Sequence, residues 1–451
     1  MKHRGFRLLA TASLLIAVVA GAATRPHYGG TLHVSLRVAP TSLDPSQAEW
    51  SGSRDVLSLM FDTLVTLNDQ GRPKPALATA WQAESGSQRW QFSLRQGVTF
   101  SDGTPLTSEV AAASLRAANP TWKVFSSGDA VVVERDSPDP NLPAELALSR
   151  NSIVMRDGDK ILGTGPFVAV EWDPGKKLAV AARDGYFGGR PFLDSIEVEL
   201  GKNLREQMVS FDLGKAQVVE VAPEQARRAV TEGRRIETSD PVELLALVFS
   251  RESQSAVDSK QREALSLSVD RRLFNSVVLQ NGGEPAGGVL PNWMTGYEFL
   301  FPVDVDLVRA QQERAEVPET TVWNLGFDSA DPIERVLAER IVLNARDAGL
   351  RLQLATGPTD VRLVRVRLAS LDAEVALGEL MAGLGLPQMK INGDSVEDLY
   401  SAENGVLKSQ RVIPLLHLRT AWAVSKTVRN WSEARDGAWR LPEVWLAAER
   451  P

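Results

Sequence analysis

From Leu32 to Val38 apolar and polar residues take turns: Leu32, Val34, Leu36 and Val38 interleave with His33, Ser35 and Arg37. A period of two belongs to a strand with one face in a core. The same alternation recurs in Trp90-Gln91-Phe92-Ser93-Leu94, and Phe167 to Ala182 reads as a hairpin with Asp173-Pro174-Gly175 as its loop. Ile196, Val198 and Leu200 mark another strand. The period then lengthens. Leu204, Met208 and Phe211 share one helical face, Asn203 and Glu206 have capping-box spacing, and Gly214 stops the helix before Val218, Val219 and Val221. Thr107 caps a further helix after the turn Phe100 to Pro105.

A second α/β unit follows later. Thr321 to Leu325 reads as a strand, and Asp331-Pro332 with Glu334 opens a helix whose Ile333, Leu337 and Ile341 lie on one side. Gly349 ends it, and Leu350, Leu352 and Leu354 begin a strand. Strand, helix and strand in this order predict parallel pairing within a mixed sheet. With 451 residues the chain is too long for one core, and two or three packed units are expected.

The start of the chain has its own pattern. Lys2, Arg4 and Arg7 precede the apolar run Leu8 to Val19, and Ala20-Gly21-Ala22-Ala23 follows. This is the layout of a cleaved export leader, shorter than the roughly 20 apolar residues of a spanning helix. Residues 1–23 are therefore expected to leave. No cysteine follows the run to carry a lipid, so the mature chain is expected free in the periplasm. Loss of the three basic groups moves the formal charge from −7 to −10. An acidic chain does not suggest nucleic acid or an anionic membrane as partner. The absence of cysteine excludes thiol catalysis, disulfides and thiolate metal sites.

Chemistry-bearing motifs are few. The four histidines stand at 3, 27, 33 and 417, without metal-ligand spacing, and no G-x-S-x-G elbow is present. Gly163-Thr164-Gly165 is followed by Pro166 and a strand, which rules out a phosphate loop. No catalytic residue, metal or cofactor is expected.

Four blocks in order carry a resemblance. The first is Gly29-Gly30-Thr31-Leu32-His33-Val34 running into Ser42-Leu43-Asp44-Pro45. The second runs from Phe61-Asp62-Thr63-Leu64-Val65 through Pro75-Ala76-Leu77-Ala78 and Trp90-Gln91-Phe92 to Phe100-Ser101-Asp102-Gly103-Thr104-Pro105. The third is Gly163 to Leu200. The fourth is Gln261-Arg262-Glu263-Ala264-Leu265 with Val269-Asp270-Arg271. Together they resemble the extracytoplasmic solute-binding proteins of the peptide/nickel type that serve ABC importers. The resemblance implies an α/β, two-lobed periplasmic-binding-protein fold with mixed sheets and an additional small domain inserted in the first lobe. Carried onto this chain, lobe I is 28–58, 161–246 and 409–451, the small domain 59–160, and lobe II 247–408. The hinge crossings then fall near Leu244–Phe249 and Val412–Leu416. The implied partners are a peptide or other small polar solute and the importer's permease subunits, with a monomer expected. An alternative on the same fold is a sensor passing ligand to a signalling receptor.

The tract Asp372 to Asp394 departs from the peptide-binding branch, which has a Trp and an Asp-Tyr-Pro-Asp-like stretch there to hold the peptide amine. Glu374, Glu379 and Asp394 are the available substitutes. The nickel branch finds no histidine cluster. Candidate ligand contacts are Trp50 with Ser51 and Ser53, in the loop expected to reach the cleft; the alternative for Trp50 is packing beneath that loop. Ser250 and Arg251 follow the first crossing, where Arg251 could meet a ligand carboxylate or form a hinge ion pair. His417, Arg419 and Trp422 follow the second crossing, and alternation puts His417 and Arg419 on one face. Trp293, after the Gly-rich 282–288 loop, is the last candidate, for stacking or for packing.

Overall fold

The computed structural model describes residues 25–47, 53–84, 86–158, 160–253, 255–317, 321–387, 391, 393 and 395–447. The expected leader, Trp50, Ser51 and Asp394 lie outside these residues.

One mixed sheet of eleven strands runs through the molecule. Its strands, numbered in chain order, are β1 Thr31–Ser35, β2 Phe167–Asp173, β3 Lys177–Ala182, β4 Ser195–Glu199, β5 Val218–Glu220, β6 Ile236–Phe249, β7 Gly283–Pro285, β8 Val322–Gly326, β9 Arg351–Leu354, β10 Val361–Arg367 and β11 Val412–Val424. The spatial order is β2-β3-β4-β1-β5-β11-β6-β10-β8-β9, with β7 on β11. The alternating segments and the hairpin thus take the predicted forms. The capping box at Asn203 and Glu206 is made, and β8 and β9 pair in parallel across the helix Pro332–Asp347. Strand β1 ends at Ser35, but the segment continues beside β4 with irregular bonding: Leu36 N donates to Glu199 O at 2.8 Å, and Val38 O accepts from Gly201 N at 3.0 Å.

Apolar packing divides the sheet in two. Leu32, Val34, Ile196, Val198, Val218 and Val424 share a core with Trp422, Trp431 and Trp439. Leu245, Leu247, Leu325, Leu337, Ile341, Leu363 and Leu415 form a second core on one face of the other half. Leu244, Ala246, Val248, Val366, Leu377 and Val412 form a third on its opposite face. A separate core, spanning 64–153, lies under the four-stranded antiparallel sheet Ala78–Ala83, Arg89–Leu94, Ala130–Glu134, Lys123–Ser127 and the Thr107-capped helix Ser108–Ala118. Leu59, Met60, Phe61 and Val154 pack in the first-lobe core, while Met155 and Leu162 pack against the small unit. It is tied to the second lobe by Asn141–Glu374 and Arg150–Glu379, both at 2.5 Å.

Among the strands of the described residues, only β6 and β11 pass between the halves. They pair from Ile236–Ala423 to Val248–Val412, and the register breaks on both sides of Pro241 and again between Leu245 and Ala246. Proline supplies no ladder donor, so a bulge there is expected. Val242 to Phe249 and Val412 to Leu418 already pack in second-lobe cores. The change from first-lobe to second-lobe packing and two of the register breaks thus fall at residues 238–242 and 418–421, beside the expected Leu244–Phe249 and Val412–Leu416, which hold the third break. The physical reason is that those apolar runs are central strands buried on both faces. The chain changes lobe where Ser239-Asp240-Pro241 interrupts the run.

Gly163-Thr164-Gly165 has a packing role. A Cβ on Gly165 would stand 2.4 Å from the Met60 carbonyl carbon, and Gly165 N donates to Met60 O at 2.9 Å. Thr164 Oγ1 donates to Asp62 Oδ2 at 2.9 Å. Since the neighbour is backbone and cannot rotate aside, Gly165→Ala is expected to cost roughly 2–3 kcal/mol of stability. Denaturant unfolding checks this; an unchanged midpoint would contradict the close packing.

Candidate functional site

Strand β1 pairs in parallel with β4 and β5 in the first lobe, and β8 in parallel with β9 and β10 in the second, and the carboxyl ends of β1, β5, β8 and β10 point toward the other lobe. In open α/β sheets the crevice beyond the carboxyl ends is where ligands sit. Here those ends carry charge. Arg37, just past β1, meets Asp331, past β8, at 3.3 Å. Arg365 of β10 reaches the same Asp331 oxygen at 3.4 Å and stands 4.0 Å from both Glu334 and Glu243. Two residues on, Arg367 reaches Asp55 of the helix Ser53–Ser58 at 3.0 Å and donates to Gly437 O at 2.5 Å. Arg54 bonds Asp436, Trp439 N donates to Asp55 Oδ1 at 3.2 Å, and Thr420 Oγ1 donates to Glu433 at 3.3 Å. A continuous row of arginines and carboxylates thus crosses the lobe boundary.

Burial sets the electrostatics. The side chains of Arg365 and Arg367 are 14% and 10% exposed, and Asp55 and Asp436 are buried. Burial works against the charge on Arg367, but Asp55, Glu243, Glu433 and Asp436 outweigh it and hold the guanidinium charged. Burial also opposes ionisation of Asp436, yet Arg54 keeps its pKa below the ordinary carboxylate value. Glu433 is left short of a partner. Burial, with Asp55 and Asp436 adding to it against the pull of Arg367, pushes its pKa up to about 8. One of its oxygens, Arg54 Nη1, Arg367 Nε and the indole nitrogens of Trp422, Trp431 and Trp439 are buried without hydrogen-bond partners. Such orphaned groups in a lobe junction are what a polar ligand would satisfy.

The sequence candidates scatter. Trp422 is buried at this nest, its ring 5.4 Å from Trp439 and 6.0 Å from Trp431. Ser53 opens the helix that supplies Arg54 and Asp55. Arg419 braces the crossing, bonding Ser239 O at 3.1 Å and Glu284 at 2.6 Å. Trp293 lies beside it, donating from Nε1 to Pro241 O at 2.7 Å. Three candidates stand apart. Ser250 Oγ donates to Thr359 O at 2.9 Å, and Arg251, 79% exposed, is 3.9 Å from Asp360. Both sit at the far end of β6, about 25 Å from Glu243 at the strand rise of roughly 3.3 Å per residue. His417 is a structural group: it is buried, with Nε2 3.0 Å from Val289 O and Nδ1 3.2 Å from Glu298. Burial opposes its protonation, but Glu298 raises its pKa overall. Glu374 and Glu379 are engaged by the small unit, as above.

Arg54, Asp55, Arg365, Arg367, Glu433 and Asp436 are absent from the sequence candidates. The signal for two of them was available: in Val361-Arg362-Leu363-Val364-Arg365-Val366-Arg367 arginine repeats at strand spacing inside an apolar strand. Among the described residues no group of ligating side chains suits a metal ion, and no helix is long and apolar enough to cross a membrane.

Two α/β lobes joined by two strands, with a buried polar row between them, define a two-lobed binding protein. Residues 72–388 match the family model of bacterial extracellular solute-binding proteins, family 5 (middle), and the chain belongs to that family. The protein YhjP of Bacillus subtilis is 34% identical over 200 residues, 41% of this chain and 34% of that protein; the alignment thus spans about a third of the relative's length. The probable D,D-dipeptide-binding periplasmic protein DdpA of Escherichia coli is 21% identical over 78% of this chain and 75% of its own. Among solved structures, NikA of Staphylococcus aureus in complex with Ni(L-His)2 superposes with a TM-score of 0.79. It is 15% identical and covers 92% of this chain and 99% of its own.

The raised pKa of Glu433 gives a pH test. The folded chain favours the protonated carboxyl, so this contribution is fully present below the ordinary value of 4.5 and is lost as pH rises through about 8. Between pH 5 and 8.5 the wild-type melting temperature is expected to fall relative to that of Glu433→Gln. Parallel curves for the two proteins would mean that Glu433 is not held in this nest.

Proposed function

We propose that this solute-binding chain acts as the exported receptor of an ABC importer. It takes a short peptide or another small polar organic molecule between its lobes, without chemistry, and presents the closed form to the permease subunits. It works as a monomer in the periplasm. The observation that carries the reading is the lobe seam itself: buried, charged, incompletely paired, and spanned by two strands whose register breaks at the crossing. Binding energy from a solute that completes those pairs favours the closed state over the open one. The periplasmic and dipeptide-binding description of DdpA supports the same assignment.

A sensor handing ligand to a signalling receptor uses the same clamp and differs only in its partner. Titration calorimetry and small-angle scattering with dipeptide, tripeptide and small polar solute libraries test the common part. At least one solute is expected to release or absorb heat and shrink the radius of gyration. Flat heats and unchanged scattering across all libraries would overturn the clamp. Solute uptake into vesicles carrying the permease, dependent on added receptor, then favours import over signalling.

A further inference from the structure

One seam contact takes no part in the buried row. Arg435 lies in the C-terminal turn between Glu433 and Asp436, but its side chain leaves the nest and reaches the second lobe. Its guanidinium carbon sits 4.5 Å from the centre of the Trp293 ring, and its Nε donates to Asp240 Oδ2 at 2.8 Å. An aromatic face beside a carboxylate is the standard receptor for an organic cation. Here the chain supplies the cation itself, across the lobe boundary.

Other contacts hold the receptor side in place. Trp293 is fixed at its indole nitrogen by Pro241 O and packs against the core around Val242 and Leu244. Asp240 lies between Pro241 and the buried Ser239, whose carbonyl accepts from Arg419 and whose hydroxyl accepts from Thr420 N. The turn carrying Arg435 is likewise fixed without it, by Arg54–Asp436, Thr420–Glu433 and the bridge between Glu433 and Trp439. Arg435 is 42% exposed and Asp240 36%. The guanidinium can therefore swing into solvent while both partners keep their geometry.

We propose that Trp293 and Asp240 form a cation-recognition site at the lobe junction, that Arg435 occupies it as an internal competitor, and that a solute bearing a guanidinium or alkylammonium group displaces Arg435. This names a ligand class and rests on the clamp reading for the place where solute enters; the cation site itself is independent of it. A tethered competitor lowers apparent affinity by the fraction of time it leaves the site free. If Arg435 is seated about nine-tenths of the time, its removal raises affinity about tenfold.

The test follows the Trp293 indole N–H signal by NMR, assigned with Trp293→Phe, while methylguanidinium is titrated into full-length wild type, Arg435→Ala and Arg435→Gln. Both variants are expected to saturate at about tenfold lower concentration than wild type, and Asp240→Asn in the Arg435→Ala background to lose the response. Equal titrations in wild type and both variants, or a response indifferent to Asp240→Asn, would overturn the proposal. Circular dichroism melts of each variant confirm folding. Failure of the clamp reading shows separately: methylguanidinium would bind the Arg435 variants as expected while the solute libraries leave the radius of gyration unchanged.

Discussion

Two arginine–carboxylate pairs, Arg37–Asp331 and Arg367–Asp55, cross the lobe boundary, flanked by Arg54–Asp436 within the first lobe and Arg365–Asp331 within the second. A buried ion pair is a poor source of net stability, since the desolvation of both partners offsets their attraction. It is strongly specific, however, because leaving one partner buried and alone costs several kcal/mol. A seam built this way has few acceptable arrangements. The lobes mate in register with most charges paired, or they separate and let water solvate each group. An apolar interface of the same size would tolerate slippage and would stay shut.

The crossing strands make the second arrangement accessible. Strands β6 and β11 are apolar and doubly buried within the second lobe. Around Pro241 the ladder breaks, and the exposed or polar residues Thr238, Ser239 and Asp240 replace the apolar run. Rotation concentrated there would move the whole second lobe against the first without disturbing either core. The small unit joins this motion indirectly. Through Asn141 and Arg150 it holds Glu374 and Glu379, so the helix Ala373–Gly383 is clamped from outside as well as packed from within. A carboxylate in this tract is thereby used for architecture, in keeping with the departure of its sequence from the peptide-binding pattern.

Local structure was largely legible. Alternation found the strands of the first lobe, and capping residues found the helices, because both signals depend only on neighbours in sequence. Lobe boundaries were less so: apolar runs drew attention to Leu244–Phe249 and Val412–Leu416, whereas the pivot is marked by the polar break beside them. The site was the least legible part. Arg367, Asp55 and Glu433 come from three distant segments, and pairing at 3 Å is a property of the assembled sheet. His417 illustrates the opposite error, since its strand position was read correctly but its ring is used inside the second lobe. Arg251 was drawn in by adjacency to an apolar run, yet it stands at the wrong end of the strand. Arginine at two-residue spacing within an apolar strand is a further seam signal in the sequence, and it reads as a buried cation awaiting acids from elsewhere.

The central claim is that the arginine–carboxylate row is what holds the lobes closed. Because the chain has no cysteine, a spin-label pair at Arg205→Cys and Glu339→Cys, one exposed position in each lobe, reports their separation directly. Measured with and without Arg367→Ala, the distance distribution is expected to shift to longer values and broaden when the row is cut. A distribution unchanged by Arg367→Ala, in a variant that still melts cooperatively, would contradict the account.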